Sequence, residues 1–155
     1  MVKEDVQDPY SFREQSRFTL KELMDALLRR YQCPEHKLLD FDQHSTIAIE
    51  LDGVSDVFIT VDDDRLWVWS VLADLRLPML VANAAEVFSL LSKPVFGFET
   101  GQLALSEGAE GYELKGLVDL RSLEHEPGFS LVIEQFHRRL EVLCTLIKEF
   151  PHADT

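Results

Sequence analysis

Hydrophobic and polar positions alternate most clearly between His44 and Leu72. Ile47, Ile49 and Leu51 interleave with Thr46, Ala48 and Glu50, the period-2 pattern of a strand with one buried face. After a turn at Gly53, Val57, Ile59 and Val61 repeat it. Three aspartates, Asp62 to Asp64, then mark a tip where Asp suits turn geometry through its side-chain hydrogen bonds. On the third run Leu66 and Val68 oppose Trp67 and Trp69, so both faces of that strand are apolar and both need cover. The stretch predicts a three-stranded antiparallel meander.

Helical spacing governs the flanks. Thr19 with Glu22 three residues later forms a capping box. Behind it Leu20, Leu23, Met24, Leu27, Leu28 and Tyr31 make an apolar stripe that Pro34 ends, with Arg29 and Arg30 suiting the last turn. Pro78 opens a second helix carrying Val81, Ala84, Ala85, Val87, Phe88, Leu90 and Leu91 and ending at Ser92 to Pro94. It is apolar almost all round, with Asn83 and Glu86 nearly its only polar groups, so one sheet cannot cover it and a second copy of the chain is expected on its other side. Residues 101–118 read as a hairpin turning at Gly108 to Gly111, with Leu103 and Leu105 on one strand and Tyr112, Leu114 and Leu117 on the other. A last helix begins near Pro127 and runs to Phe150, with Phe129, Val132, Ile133, Phe136, Leu140, Leu143, Cys144 and Ile147 at three- and four-residue steps. The order α-β-β-β-α-β-β-α predicts an α+β fold with a twisted antiparallel sheet. Residues 1–17 are expected to be a loose extension, the alternative being that Tyr10 and Phe12 dock, with 18–150 one domain and 151–155 a short tail.

Charge narrows the function. Acidic residues outnumber basic ones by 28 to 15, a net −13, which opposes binding to nucleic acid or to an anionic membrane surface. No apolar run reaches the length of a membrane span, and no secretory leader pattern opens the chain. Two distant cysteines, Cys33 and Cys144, give no disulfide framework and suit a reducing compartment.

Candidate chemistry is thin. Cys33 and His36 have a Cys-x-x-His spacing without the second pair that a zinc site needs. Asp62 to Asp64 lack the alternating register of a calcium loop. Glu124-His125-Glu126 reads as polar loop, and His137 as a helix-surface residue. No nucleophile elbow, phosphate-binding loop or dinucleotide glycine motif is present, so no catalytic residue, metal or cofactor is assigned. Trp67 and Trp69 read equally as core aromatics and as binding residues.

The runs Asp42-x-His44-Ser45-Thr46-Ile47, Asp62 to Asp64 and Leu66-Trp67-Val68-Trp69 resemble the InvB/SpaK group of class I type III secretion chaperones. Gly101-Gln102-Leu103-x-Leu105, Leu114-Lys115-x-Leu117-Val118, Phe129-Ser130, Phe136 and Leu140-Glu141-Val142 extend the likeness over about residues 18–150. The resemblance implies a small, acidic, non-enzymatic homodimer of the bacterial cytoplasm. It would bind the N-terminal segment of effector proteins, keep it unfolded, and pass it to the secretion apparatus, with the secretion ATPase or sorting components as further partners. From pattern and from where such chaperones bind, effector contacts are expected at Leu23, Leu27, Tyr31, Trp67 and Trp69. The dimer interface is expected at Val81, Ala84, Ala85, Phe88 and Leu91, with Leu103 and Leu105 close by. The alternative is an adaptor domain binding a folded partner; a hydrolase or metal-dependent enzyme using Asp62 to Asp64 or His125 is a distant third.

Overall fold

The computed structural model describes residues 8–16, 19–31, 46–51, 53–124 and 128–150. The elements are α1 (Phe12–Gln15), α2 (Leu20–Tyr31), β1 (Thr46–Ile49), β2 (Val57–Asp62), β3 (Arg65–Leu72), α3 (Leu77–Ala82), α4 (Ala84–Leu91), β4 (Ala104–Gly108), β5 (Gly111–Leu117) and α5 (Gly128–Glu149). This is the expected α+β class. All five strands join one antiparallel sheet in the order β1-β2-β3-β5-β4.

The meander forms where the alternation places it, with Ile47 opposite Ile59 and Ile59 opposite Val68. Its second turn is tight. Asp62 pairs with Arg65 around Asp63 and Asp64, whose φ values of 49° and 58° give the left-handed geometry of a two-residue type I′ hairpin turn. The later hairpin closes with Gly108 opposite Gly111, as the glycines predict. Strand β3 lies at the centre, between β2 and β5.

One face of the sheet is packed. Leu66, Val68, Ser70 and Leu72 alternate inward along β3, joined by Ile59 and Leu114. Against them α5 sets Val132, Ile133, Phe136, Leu140 and Leu143, all buried. Ser70, the polar residue within this layer, donates its hydroxyl to the Asp56 carbonyl at 2.9 Å and so carries no unmet hydrogen bond. At Gly116 the core closes on bare backbone: an added Cβ would fall 2.5 Å from Phe98 and Leu103 side-chain atoms. Phe98 in turn meets Phe136 at 6.1 Å between ring centroids, linking the sheet to α5.

Helix α2 starts as the capping box predicts. The Glu22 amide donates to Thr19 Oγ1 at 3.2 Å, and the Thr19 amide to the Glu22 carboxylate at 3.3 Å.

Two expectations need correction. The second helix is not continuous: Asn83, at φ −120° and ψ 26°, separates α3 from α4. Both the backbone amide and the side-chain amide of Asn83 donate to the Met79 carbonyl, at 3.0 and 2.8 Å, and its own carbonyl accepts from Val87 to start the next helix. Residues 8–16, within the expected loose extension, form α1 and lie against the sheet, with Phe12 only 8% exposed. The Cys33 to His36 spacing, the connection to Asp42, His44, Ser45, His125, Pro127 and the tail after Phe150 lie outside the described residues.

Candidate functional site: an open aromatic sheet face and an apolar helix patch

The face of β3 turned away from α5 carries Arg65, Trp67, Trp69 and Val71, all half-buried. Strand pairing sets Phe58 and Lys115 beside Trp69, and Thr60 and Leu117 beside Trp67. The Trp69 ring stacks on Phe58 with centroids 4.5 Å apart, and its Nε1–H donates to Thr60 Oγ1 at 2.9 Å. Thr60 shares a further hydrogen bond of 2.8 Å with Thr46 on β1. Lys115 holds its ammonium 5.3 Å from the centroid of the Trp67 ring. A row of aromatic and aliphatic side chains thus crosses from β2 to β5, with the polar atoms at its margins already partnered. Such a surface offers apolar area and ring faces to a partner, held in place by internal contacts.

The second surface belongs to α3 and α4. Val87 and Leu90 turn inward, while Leu77, Val81 and Phe88 are 54%, 68% and 75% exposed. Ala84 and Ala85 are exposed beside them, and Leu91 is half-buried. The end of α4 is anchored from α5: the Arg139 guanidinium donates to the carbonyls of Leu90 and Lys93 at 2.7 and 3.0 Å. A cation there complements the negative end of the helix. Burial pulls the Arg139 pKa down from its usual value, and these two carbonyls replace part of the lost water. The anchor fixes which side of α4 faces outward.

The residues expected to form the sites separate into three groups. Trp67 and Trp69 stand together on the open sheet face. Val81, Ala84, Ala85, Phe88 and Leu91 share the helix patch. Leu23 and Leu103, by contrast, are only 4% and 5% exposed, and both are core residues of the single chain, so neither lies on an open surface. Leu105 is half-buried against the same core. Leu27 and Tyr31 lie on α2, with side chains outside the described set. Phe58, Val71, Leu117 and Leu77 were missed. Phe58 and Leu117 are found only through register, since cross-strand pairing places them beside the tryptophans.

Among the described residues no group of three His, Cys, Asp or Glu side chains is placed to hold a metal ion. The Asp62 to Asp64 tip is a turn whose last carboxylate binds the α1 segment: it accepts from the Ser11 hydroxyl and from the Arg13 amide at 2.9 Å. Those hydrogen bonds, the Ser11 hydroxyl first, hold the Asp64 pKa below the ordinary carboxylate value. Nearby, Arg121 binds the Asp119 carboxylate through two side-chain bonds of 3.0 and 2.9 Å, lowering the Asp119 pKa, while burial raises that of Glu99. Burial likewise raises the Cys144 thiol. Among the described residues no helix is long and apolar enough to cross a membrane.

Fold and surfaces together define an α+β domain with a sheet packed by helices on one face and lined by aromatics on the other. The invasion protein B family profile matches residues 32–109 of this chain. The chain belongs to the invasion protein B family, which places it among type III secretion-related proteins. It is similar to "Surface presentation of antigens protein SpaK" of Salmonella typhimurium (strain LT2), at 29% identity over 123 residues, covering 79% of this chain and 91% of that protein. The SpaK protein of Salmonella typhi matches with the same identity and coverage.

Proposed function

We propose that this chain is a homodimeric, non-enzymatic chaperone of the bacterial cytoplasm. It binds the N-terminal segment of secreted effector proteins, keeps that segment extended, and delivers it to the secretion apparatus. The observation that carries this reading is the pair of apolar surfaces left open by a chain of the invasion protein B family: the Trp67–Trp69 face and the Val81–Phe88 patch.

The two surfaces suit different occupants. The helix patch projects large side chains such as Phe88 and Val81, and a second copy offering the same patch buries both sets at once. The sheet face is a row of half-buried aromatic and aliphatic side chains across β2, β3 and β5, which suits an extended peptide laying successive side chains across it. Each client Leu or Phe fully buried there contributes about 1.5–3 kcal/mol, and ordering the segment costs about 2–5 kcal/mol of the gross gain. A few anchors therefore hold the client firmly and still release it. A dimer presents two such faces to one client chain, raising the effective concentration of the second contact.

Co-expression with the N-terminal portion of a secreted protein encoded beside this gene tests the role. The expected result is a soluble complex in which the client is protected from protease only along its bound stretch. A client that stays insoluble and unbound contradicts the reading. A partner that is protease-resistant throughout supports an adaptor for folded proteins instead.

A further inference from the structure

Residues 8–16 lie outside the span that the family profile matches, yet they are fastened to the end of the sheet and pack on the turn at Leu120–Leu123. The main hold is Asp64, at the tip of the β2–β3 hairpin. Its backbone carbonyl accepts from the Phe12 amide at 2.8 Å. Its carboxylate accepts from the Arg13 amide at 2.9 Å and, on the other oxygen, from the Ser11 hydroxyl. Ser11 Oγ also accepts from the Glu14 amide at 3.1 Å, so the same hydroxyl caps α1. A second hold adjoins the first. Arg65 pairs with Asp8 at 2.9 Å and lies 5.7 Å from the centroid of the Tyr10 ring. Phe12 is buried while Tyr10 remains exposed, so one apolar side chain anchors the segment.

We propose that residues 8–16 form a latch at the Arg65 end of the sheet, which opens without unfolding the domain. The fastening is concentrated: three hydrogen bonds meet at Asp64, one ion pair at Arg65, and one large side chain fills a seat. Phe12 touches the edge of the core cluster, whereas the sheet beneath the latch is held by its own strand ladder and by α5. A unit with few buried contacts and a single hub opens locally, below the free energy of global unfolding. Arg65 lies on the same face as Trp67, two residues away. Opening therefore frees the Arg65 guanidinium at the end of the aromatic row and uncovers the Phe12 seat in the core beside Leu120–Leu123. The proposal concerns this chain alone and does not depend on the identity of a client.

Hydrogen exchange followed by mass spectrometry on the full chain tests it, with Asp64→Gly as the main variant. Glycine favours the positive φ that Asp64 adopts, so the hairpin turn is kept while the carboxylate is removed. In the wild type, amides of residues 12–16 are expected to exchange more slowly than an unstructured chain but well before those of β3 and α5. Asp64→Gly should speed their exchange by about tenfold or more, with β2 and β3 unchanged. Phe12→Ala, which empties the seat and leaves the turn untouched, should do the same. Exchange of residues 12–16 in step with β3 and α5 in the wild type would overturn the latch. So would unchanged protection of this segment in both variants, or loosening of β2 and β3 to the same degree.

Discussion

Trp67 and Trp69 sit two residues apart on one face, yet their surroundings assign them different work. Trp69 spends its ring on Phe58 and its Nε1–H on Thr60, inside the molecule. Trp67, equally half-buried, has the Lys115 ammonium over its ring instead. Trp69→Ala should therefore lower stability by about 1–3 kcal/mol, from a lost aromatic pair and hydrogen bond. Trp67→Ala should cost less stability and instead weaken client binding by about 2 kcal/mol, roughly thirtyfold. Denaturant unfolding and titration with a client segment separate the two; equal losses of stability would make Trp67 an ordinary core residue. Asp64 yields a pH prediction. Its pKa lies below the ordinary 3.8 in the folded chain, so across the interval between the two values the unfolded state binds more protons. The stability it contributes is then complete above about pH 4 to 5 and falls as pH drops through the carboxylate range. Acidification should thus expose the Arg13 amide to exchange, and Asp64→Gly should abolish that pH dependence. The residue types at both places were plain in the sequence, but their partners were not. Ser11 meets Asp64 across 53 positions, a juxtaposition that no local pattern encodes.

At the scale of elements, local rules succeed where the governing interaction is itself local. The capping box at Thr19, the period-2 strands, the glycine-bounded hairpin and the long stripe of α5 all form where sequence spacing puts them. The break at Asn83 was missed because apolar periodicity runs through it unbroken. Asn83 ends α3 by turning its side-chain amide onto the Met79 carbonyl, a competition between side chain and backbone that periodicity does not register. Nor does periodicity say which apolar face the chain covers itself. Leu23 and Leu103 have the same character as Val81 and Phe88, but the first pair is buried within the chain and the second is exposed. Besides its buried Val87 and Leu90, α4 is held by a long-range polar contact, Arg139 on the carbonyls of Leu90 and Lys93. Arg139→Met keeps an unbranched apolar stem and removes both bonds. It is expected to cost about 1–3 kcal/mol and to raise hydrogen exchange at Lys93 and the last turn of α4 before that of the sheet. Uniform loosening of the whole chain would show that the anchor is not specific to α4.

For the whole molecule, what matters is the apolar area that one copy leaves uncovered. The buried cluster runs from Phe12 to Phe150, so the exposed residues are not the sign of a poorly formed core. Among the described residues, exposed apolar side chains gather most densely on the α3–α4 patch, beside the half-buried aromatic sheet face, while Phe96 and Val142 are exposed elsewhere. A charge at the centre of the second should reveal its role. Phe88→Asp changes a side chain that is 75% exposed in one copy, so the monomer should tolerate it. Within a dimer the carboxylate would be buried without a partner, a cost of several kcal/mol. The expected result by light scattering is a soluble monomer that unfolds cooperatively; a soluble dimer would place the contact elsewhere. The most direct test of the account is the mass of the intact complex after co-expression with an effector's N-terminal segment, measured by native mass spectrometry. The account predicts two copies of this chain with one client segment, whereas a single copy with no client retained would contradict it.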